Sequence, residues 1–372
     1  MKTFWALVLG CATALATAAV AAVPASAAMG RTIWVEPGIG TISRAVARAH
    51  PGDTLRLESG TYRDSVFIPF RLTLRGAGWD TVLRPPASSA SRCDMAGAME
   101  GLCAAGAFDA HGNPILSRPV VGVRIQDLRV TGFSDSGVFG FNTRGLRVSG
   151  VRADHNGGYG IARFVSTDSV FEDNWASANG EAGLYMGDSP DADSVLRDNW
   201  ADHNGFGLFM RDSTELTAVG NRVWDNCVGI FALNSGHGAP GDLPAGDYTI
   251  TANTVLDNDR ECPASGEQPV PLSGIGIGLF GVHDSYAVGN EVRGNHPHPG
   301  AHQTVVAGGI VMFSTAFIGG ANPRNLWVLR NEAEHNQPAD IVWDHTGHGI
   351  HVRGNDCNRA IPAHLGWCTD HD

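Results

Sequence analysis

Two short strings, Gly187-Asp188-Ser189 and Arg211-Asp212-Ser213, put a carboxylate beside a hydroxyl at the same distance behind a short apolar run. Asn142 and Asn234 hold the matching place in two other runs, so Asp188 and Asp212 belong to one column. On neighbouring strands the two carboxylates would lie about 5 Å apart. At that distance like charges raise one pKa or recruit a cation, and with Asp191 and Asp193 close by calcium is the ion these oxygen donors suit. The alternative is turn chemistry, because Asp or Asn followed by Ser or Thr at a strand end bonds its own bend. Arg163 and Arg211 fall near the same surface. Either could hold a substrate carboxylate or act as a high-pKa base, and the ordinary role of both is an ion pair with Asp188 or Asp212.

A second column is aromatic. Ile161, Leu184, Leu208, Ile230, Ile277 and Ile310 each follow a glycine and should face a core; the residues after them should then face outward. Tyr185, Phe209 and Phe231 stand in that outward column, a surface on which a sugar ring can rest unless a loop such as 84–119 covers it. Histidines raise a metal question at His296, His298 and His302 and again at His345, His348 and His351. The second set has a spacing of three, which alternates faces on a strand and need not converge.

Positioning these side chains requires a repeat. Asparagine, four residues, asparagine is written six times, from Asn174/Asn179 to Asn331/Asn336, with a partial copy ending at Asn156. Once the loops rich in Gly, Pro and His are removed, the interval is 22 to 25 residues. That period, with apolar strands and almost no helical periodicity, fits one coil of a parallel β-helix and not a leucine-rich repeat, whose leucine slots hold Val, Trp and Ala here. Asparagine suits sharp turns because it tolerates the left-handed backbone, and stacked copies can hydrogen-bond in ladders. Ile42, Ala45, Val46 and Ala49 mark a short amphipathic helix that caps the open end of the first coil.

The 372 residues begin with an apolar stretch read as a removable leader over 1–28. The expected organisation continues as 29–83 for the cap and first coils, 84–119 for a stapled loop, 120–356 for the asparagine-rich coils and 357–372 for a closed C-terminal cap. Lys2 is the only lysine, so beyond the leader 25 arginines face 38 carboxylates, a net charge of −13 that disfavours nucleic acid and anionic membrane. Six cysteines remain, and neighbour pairing gives Cys93–Cys103, Cys227–Cys262 and Cys357–Cys368, which together with the leader imply a secreted, extracellular protein.

Val35-Glu36-Pro37-Gly38, Pro51-Gly52-Asp53-Thr54, Ser59-Gly60-Thr61-Tyr62 and Leu74-Arg75-Gly76 resemble the N-terminal segment of exported right-handed parallel β-helix proteins of the pectate-lyase-like superfamily. The later coils, with Asn226-Cys227-Val228-Gly229, resemble secreted β-helix repeat proteins of the actinobacterial type. The expected fold is therefore all-β, a right-handed parallel β-helix solenoid of about ten coils with a short N-terminal capping helix. The resemblance implies no single activity, since this fold hosts many. Polygalacturonase-like hydrolases need an Asn-Thr-Asp element where this chain has Asn142-Thr143-Arg144, pectin methylesterase elements are missing, and lysine-based lyases lack their lysine. The leading expectation is a monomer that binds extracellular or cell-envelope polysaccharide on Tyr185, Phe209 and Phe231. The alternative is a calcium-assisted polysaccharide lyase or epimerase on an acidic glycan, with Asp188 and Asp212 on the metal and Arg163 or Arg211 catalytic. A third reading, metal handling by the histidine loops, lacks any spacing specific for copper.

Overall fold

The computed structural model describes residues 30–368, apart from 89–90, 94–97, 239–243, 265–269 and 302–303. The leader reading, His302 and the last four residues lie outside the described residues. Each repeat contributes one strand to each of three parallel sheets, so the chain winds as an all-β right-handed parallel β-helix. The first sheet runs over twelve strands from Thr32–Val35 to His348–Arg353, the second over twelve from Gly38–Ile39 to Asp356–Cys357, and the third over eleven from Val66–Ile68 to Ala360–Ile361. The solenoid thus has twelve layers and not about ten, because both terminal segments add strands of their own. The capping helix spans Thr41–Val46 and buries Ile42, Ala45 and Val46. Ser43 docks it, its Oγ donating to Asp64 Oδ1 (2.6 Å) and its backbone N–H to Asp64 Oδ2 (2.9 Å).

The three cysteine pairs form the expected disulfides, with Cα separations of 6.3, 5.8 and 4.9 Å along the chain. Segment 84–119 is more than a stapled loop. Leu102–Ala105 inside it is a full strand of the third sheet, paired between Val66–Ile68 and Val138–Phe141. Leu102 and Ala104 are buried in the solenoid core, which is the apolar alternation that makes this stretch a strand despite the irregular sequence around it.

Stacked asparagines hold the turns. One ladder runs Asn174, Asn199, Asn221, Asn253, Asn290 and Asn331, each side-chain amide donating to the next at 2.9–3.0 Å, and Asn355 ends it. The second runs from Asn156 to Asn336 and ends on Asp340 Oδ1. The left-handed bend belongs to the residue before each asparagine: Asp173, Asp198, His155, Ala178 and His203 all have φ near +55°. The asparagine itself turns inward, where its amide satisfies backbone groups of the coils on either side. The glycine that follows is there for close approach, since a Cβ on Gly207 would lie 2.6 Å from Gly229 O and 2.1 Å from Val223 Cγ1.

Asp53 ties the first strand to the second coil. It accepts from the Arg31 and His50 backbone N–H groups at 2.8 and 2.9 Å and from the Arg31 guanidinium at 3.0 Å. These bonds, that from His50 foremost, pull its pKa from 3.8 to about 2. A carboxylate with a depressed folded pKa stabilises the fold above its unfolded value and loses that contribution on acidification. The strand Thr32–Val35 should therefore loosen between about pH 4 and 2, read as faster amide exchange there, and Asp53→Asn should remove most of that pH dependence.

Candidate functional site

The third sheet carries the residues singled out by the sequence. In its strands Ile161–Phe164, Ala182–Ser189, Phe206–Ser213, Val228–Leu233, Ile275–Phe280 and Gly308–Phe313 the expected register holds: Leu184 pairs with Leu208 and Ile230, and Tyr185 with Phe209 and Phe231. The leucine and isoleucine column is fully buried inside the solenoid. The aromatic column points away from it, yet it is not an open platform. Tyr185 is fully buried, and Phe209 and Phe231 are 4 % exposed, in a second apolar cluster with Phe206, Leu272 and Phe280. The cover is not segment 84–119, which packs over Phe139 and Cys103 further up the sheet. Leu272, Val270 and Val306 supply it, from insertions between coils that fold back over the sheet, one of them clamped by Cys227–Cys262.

Arg163 is not at the surface. Counting from Ile161 it stands two residues on, so the pleat turns it into the solenoid, in register with core Met186. It is fully buried, with Nη1 donating to Ser189 Oγ and Gly187 O, while Nε and Nη2 have no hydrogen-bond partner. Burial lowers its pKa to about 10, but no substrate can reach it, and the catalytic expectation for Arg163 fails on access. Arg211 does face outward. Burial works against its charge, but Tyr185, Asp212 and Asp188 around it outweigh that and hold its pKa above the ordinary value. A guanidinium held protonated this firmly is a poor base and a good anion receptor.

The carboxylate column is built as turn chemistry. Asp188 and Asp212 both take left-handed backbone, with φ of +54° and +46°. Asp212 is fully enclosed: Oδ1 accepts from the Ser235 N–H (2.7 Å), and Oδ2 from Ser235 Oγ (2.5 Å) and Arg211 Nε (2.9 Å). Its oxygens are engaged in an ion pair and a bend, the turn chemistry that the sequence offers as the alternative to a calcium site. The side-chain groups whose ligand atoms converge among the described residues lie elsewhere, at Asp247, His283 and Asp284, and at Glu332, Glu334 and Asp356. Each already has a cationic partner, Arg324 on Asp284 (3.4 Å) in the first and Arg293 on Glu332 and Glu334 in the second. The histidine loops do not converge among the described residues either: His296 Nε2 sits 2.6 Å from His335 O, while His345 stacks on Trp343 and His351 on Trp327.

What the fold does assemble is a cleft of about 1290 Å³ running across the outer face of the third sheet. Phe209, Phe231, Phe280 and Phe313 form its floor, successive rings stacked, edge-on and tilted with centroids 5.0–5.3 Å apart. Phe317, 61 % exposed, stands at the rim. Arg211, Ser235 and His237 line one end, and His155, Glu181 and His203 the other. His203 Nδ1 is 2.7 Å from Asp202 Oδ2, and Tyr159 donates to Glu181 Oε1 at 2.6 Å. Phe280 and Phe313 are the floor residues the sequence reading missed. They share one register column with Arg211 and Leu233, two residues beyond the aromatic column and so on the same outward face. Extending the glycine alignment by two places would have found them.

Residues 103–255 match the family model described as a right handed beta helix region. No curated protein matches the sequence as a relative. Among solved structures, the A-module of a mannuronan C-5 epimerase from Azotobacter vinelandii is similar with a TM-score of 0.58 and 16 % identity, over 84 % of this chain and 81 % of that one. An alginate lyase from Paenibacillus sp. str. FPU-7 is similar at 0.53 and 14 %, over 86 % and 99 %. The catalytic unit of an α-1,3-glucanase from Streptomyces thermodiastaticus is similar at 0.52 and 18 %, over 95 % and 68 %. At such identities the likeness is one of fold. Sheet topology, family match and structural likeness agree: this chain folds as a right-handed parallel β-helix.

Proposed function

We propose that the chain is a secreted protein that binds an extracellular or cell-envelope polysaccharide in the cleft of the third sheet, without strong catalysis. The observation that carries this reading is that Arg211 and the 61 % exposed Phe317 line one cleft above the Phe209–Phe231–Phe280–Phe313 row. The exposed Phe317 ring offers the apolar face of a pyranose a surface, and a protonated guanidinium offers a uronate carboxylate paired donors. Among the described residues only Nε of Arg211 is engaged, by Asp212 and Ser235, which leaves the rest of the fork for a ligand. Three disulfides suit an oxidising compartment, and no described helix is long and apolar enough to cross a membrane. Proteins named for mannuronan, alginate and α-1,3-glucan share the fold, so those polymers belong in the test panel. The calcium-assisted lyase or epimerase has less support here, with Arg163 enclosed, Arg211 held protonated and Asp212 committed to Ser235.

Affinity electrophoresis through gels containing alginate, polygalacturonate or α-1,3-glucan tests the reading. The wild type should be retarded by at least one of them. Phe317→Ala and Arg211→Gln should each weaken retention about tenfold, the scale of one aromatic contact or one charge-assisted hydrogen bond. Equal mobility of wild type and both variants in every gel would sink the cleft as a polysaccharide site.

A further inference from the structure

A set of metal-ligating side chains lies outside the cleft, where the chain passes from the third sheet into the first. Successive coils place Glu215, Asp247, Asp284 and Asn325 in one column there, each with left-handed backbone (φ of +59°, +52°, +47° and +51°). Acidic residues at such bends are ordinary turn chemistry. What sets this turn apart is an imidazole. His283, whose side chain is only 15 % exposed, stands next to Gly246 in the register of the coils. A Cβ on Gly246 would lie 2.6 Å from His283 Nδ1, so the glycine is what makes room for the ring.

The donors converge. One ligand atom each from Asp247, His283 and Asp284 lies within 4.8 Å of the other two, and His283 Nδ1 is 2.9 Å from Asp284 Oδ2. Two atoms that share one zinc ion, each about 2.0–2.2 Å from it, are about 3–3.5 Å apart, so this pair needs little movement to take an ion between them. Asn325 Nδ2 donates to Asp284 Oδ1 at 2.8 Å, which leaves Oδ2 turned towards the imidazole. Metal-bound carboxylates have supporting partners of this kind. Asp247 is exposed, and its carboxylate has no hydrogen-bond or ion-pair partner among the described residues. Arg324 Nη1 reaches Asp284 Oδ2 at 3.4 Å, but its side chain is 47 % exposed. A pair this open contributes little, and the arginine can swing into water.

We infer that Asp247, His283 and Asp284 form a binding site for a divalent transition metal of the zinc type, with water in the remaining coordination positions. One imidazole nitrogen with two carboxylate oxygens suits zinc, whereas calcium takes about six to eight oxygens. The two carboxylates balance the charge of the ion, and Glu215, one coil away, adds a third negative charge that favours a cation here. The neutral imidazole binds through Nδ1 with its proton on Nε2, and the proton that Nδ1 shares with Asp284 in the metal-free protein passes to water. The place of the site in the fold gives the ion a role. Asp247 follows the insertion that carries Ser235 and His237, and Asn325 follows the one that carries Phe317 and Ile318, with His237 Nε2 3.0 Å from Ile318 O. A metal on Asp247 and Asp284 fastens successive coils at the foot of both rim loops.

Calorimetric titration of zinc chloride into the chelator-treated protein tests the inference. No polysaccharide is present, so the result stands apart from that of the cleft. The wild type should bind a single zinc per chain, and zinc should raise its thermal unfolding midpoint. Asp247→Asn and His283→Gln should each lower zinc affinity at least about tenfold. Arg324→Gln should raise it several-fold, because it removes the cation that competes for Asp284. Asp247 is exposed and without partners, so Asp247→Asn should unfold at the wild-type midpoint when zinc is absent, which separates lost binding from lost folding. Calcium chloride at the same concentration should give no comparable heat and no shift in midpoint. The site is overturned if the wild type binds no zinc, if Asp247→Asn and His283→Gln bind it undiminished, or if calcium binds as tightly. Undiminished binding would place the zinc on other histidines, such as His296 and His298.

Discussion

Arg163→Met should make the folded chain more stable by about 1–4 kcal/mol, the range seen when buried ionic groups give way to well-packed apolar ones. Arg163 stands in a column that elsewhere holds Met186, Met210 and Met312, all inside the solenoid. Burial is the main cause that brings its pKa down to about 10, so at neutral pH it is still charged, with two of its nitrogens unpartnered. Such a charge costs several kcal/mol, and the nearby Asp188 offsets part of that. Methionine is unbranched and of similar reach, so it should fill the same space. Ser189 loses one donor but keeps two bonds, accepting from the Ser166 N–H and donating to Gly187 O. The pH dependence has a definite sign. A base with a depressed folded pKa destabilises the fold while protonated and stops doing so as pH passes the folded value. The gap between variant and wild type should therefore narrow above about pH 10. Urea unfolding at pH 7 and pH 10.5 reads both effects, and a variant that unfolds at lower urea than the wild type at pH 7 would refute the prediction.

Asn204→Ala should cost about 3–6 kcal/mol, the largest loss expected from a single side chain here. Asn204 is fully buried in the middle of the second ladder. Its Oδ1 accepts from Asn179 N–H (2.9 Å) and Nδ2 (3.0 Å), and its own Nδ2 donates to Ala176 O (3.1 Å) and Asn226 Oδ1 (3.2 Å). Alanine leaves the Asn179 N–H and the Ala176 carbonyl buried without those partners, at about 1–3 kcal/mol each, and adds a small cavity. Because each coil of a solenoid contacts only its neighbours, the damage should also divide the molecule. Urea unfolding of the variant should show two transitions in place of one broad step. A loss under about 1 kcal/mol with a single transition would mean that water or a shifted coil takes over the asparagine's bonds.

The errors of the sequence reading have physical causes that can be named. For Arg163 the residue type argues for the surface and the strand period for the interior. The period prevails because the pleat is shared with the paired strand through Ile161↔Leu184 and Arg163↔Met186, and one residue cannot leave it without breaking that pairing. For the asparagines, tolerance of left-handed backbone is real, but a buried amide that bonds both neighbouring coils is worth more, so the bend moves one residue back to Asp173, His203 and their equivalents. Asp188 and Asp212 do sit at bends, and there the turn alternative holds for the backbone of both.

The chain by itself determined the solenoid, the column that fills the core, the asparagine ladders and the three disulfides, all of which follow from local period and from cysteines close in sequence; that each coil has three sheets came from the structure. Only the tertiary structure decided what happens on the outside of the third sheet. Period 2 says that Tyr185, Phe209 and Phe231 leave the core; it cannot say that Val270, Leu272 and Val306 come back to meet them. Those residues belong to insertions between coils, which carry no repeat, and their docking depends on contacts between residues dozens of positions apart and on the Cys227–Cys262 clamp. The same fold-back that hides Tyr185 raises the walls of the cleft around Arg211, so the covered column and the candidate site have one cause.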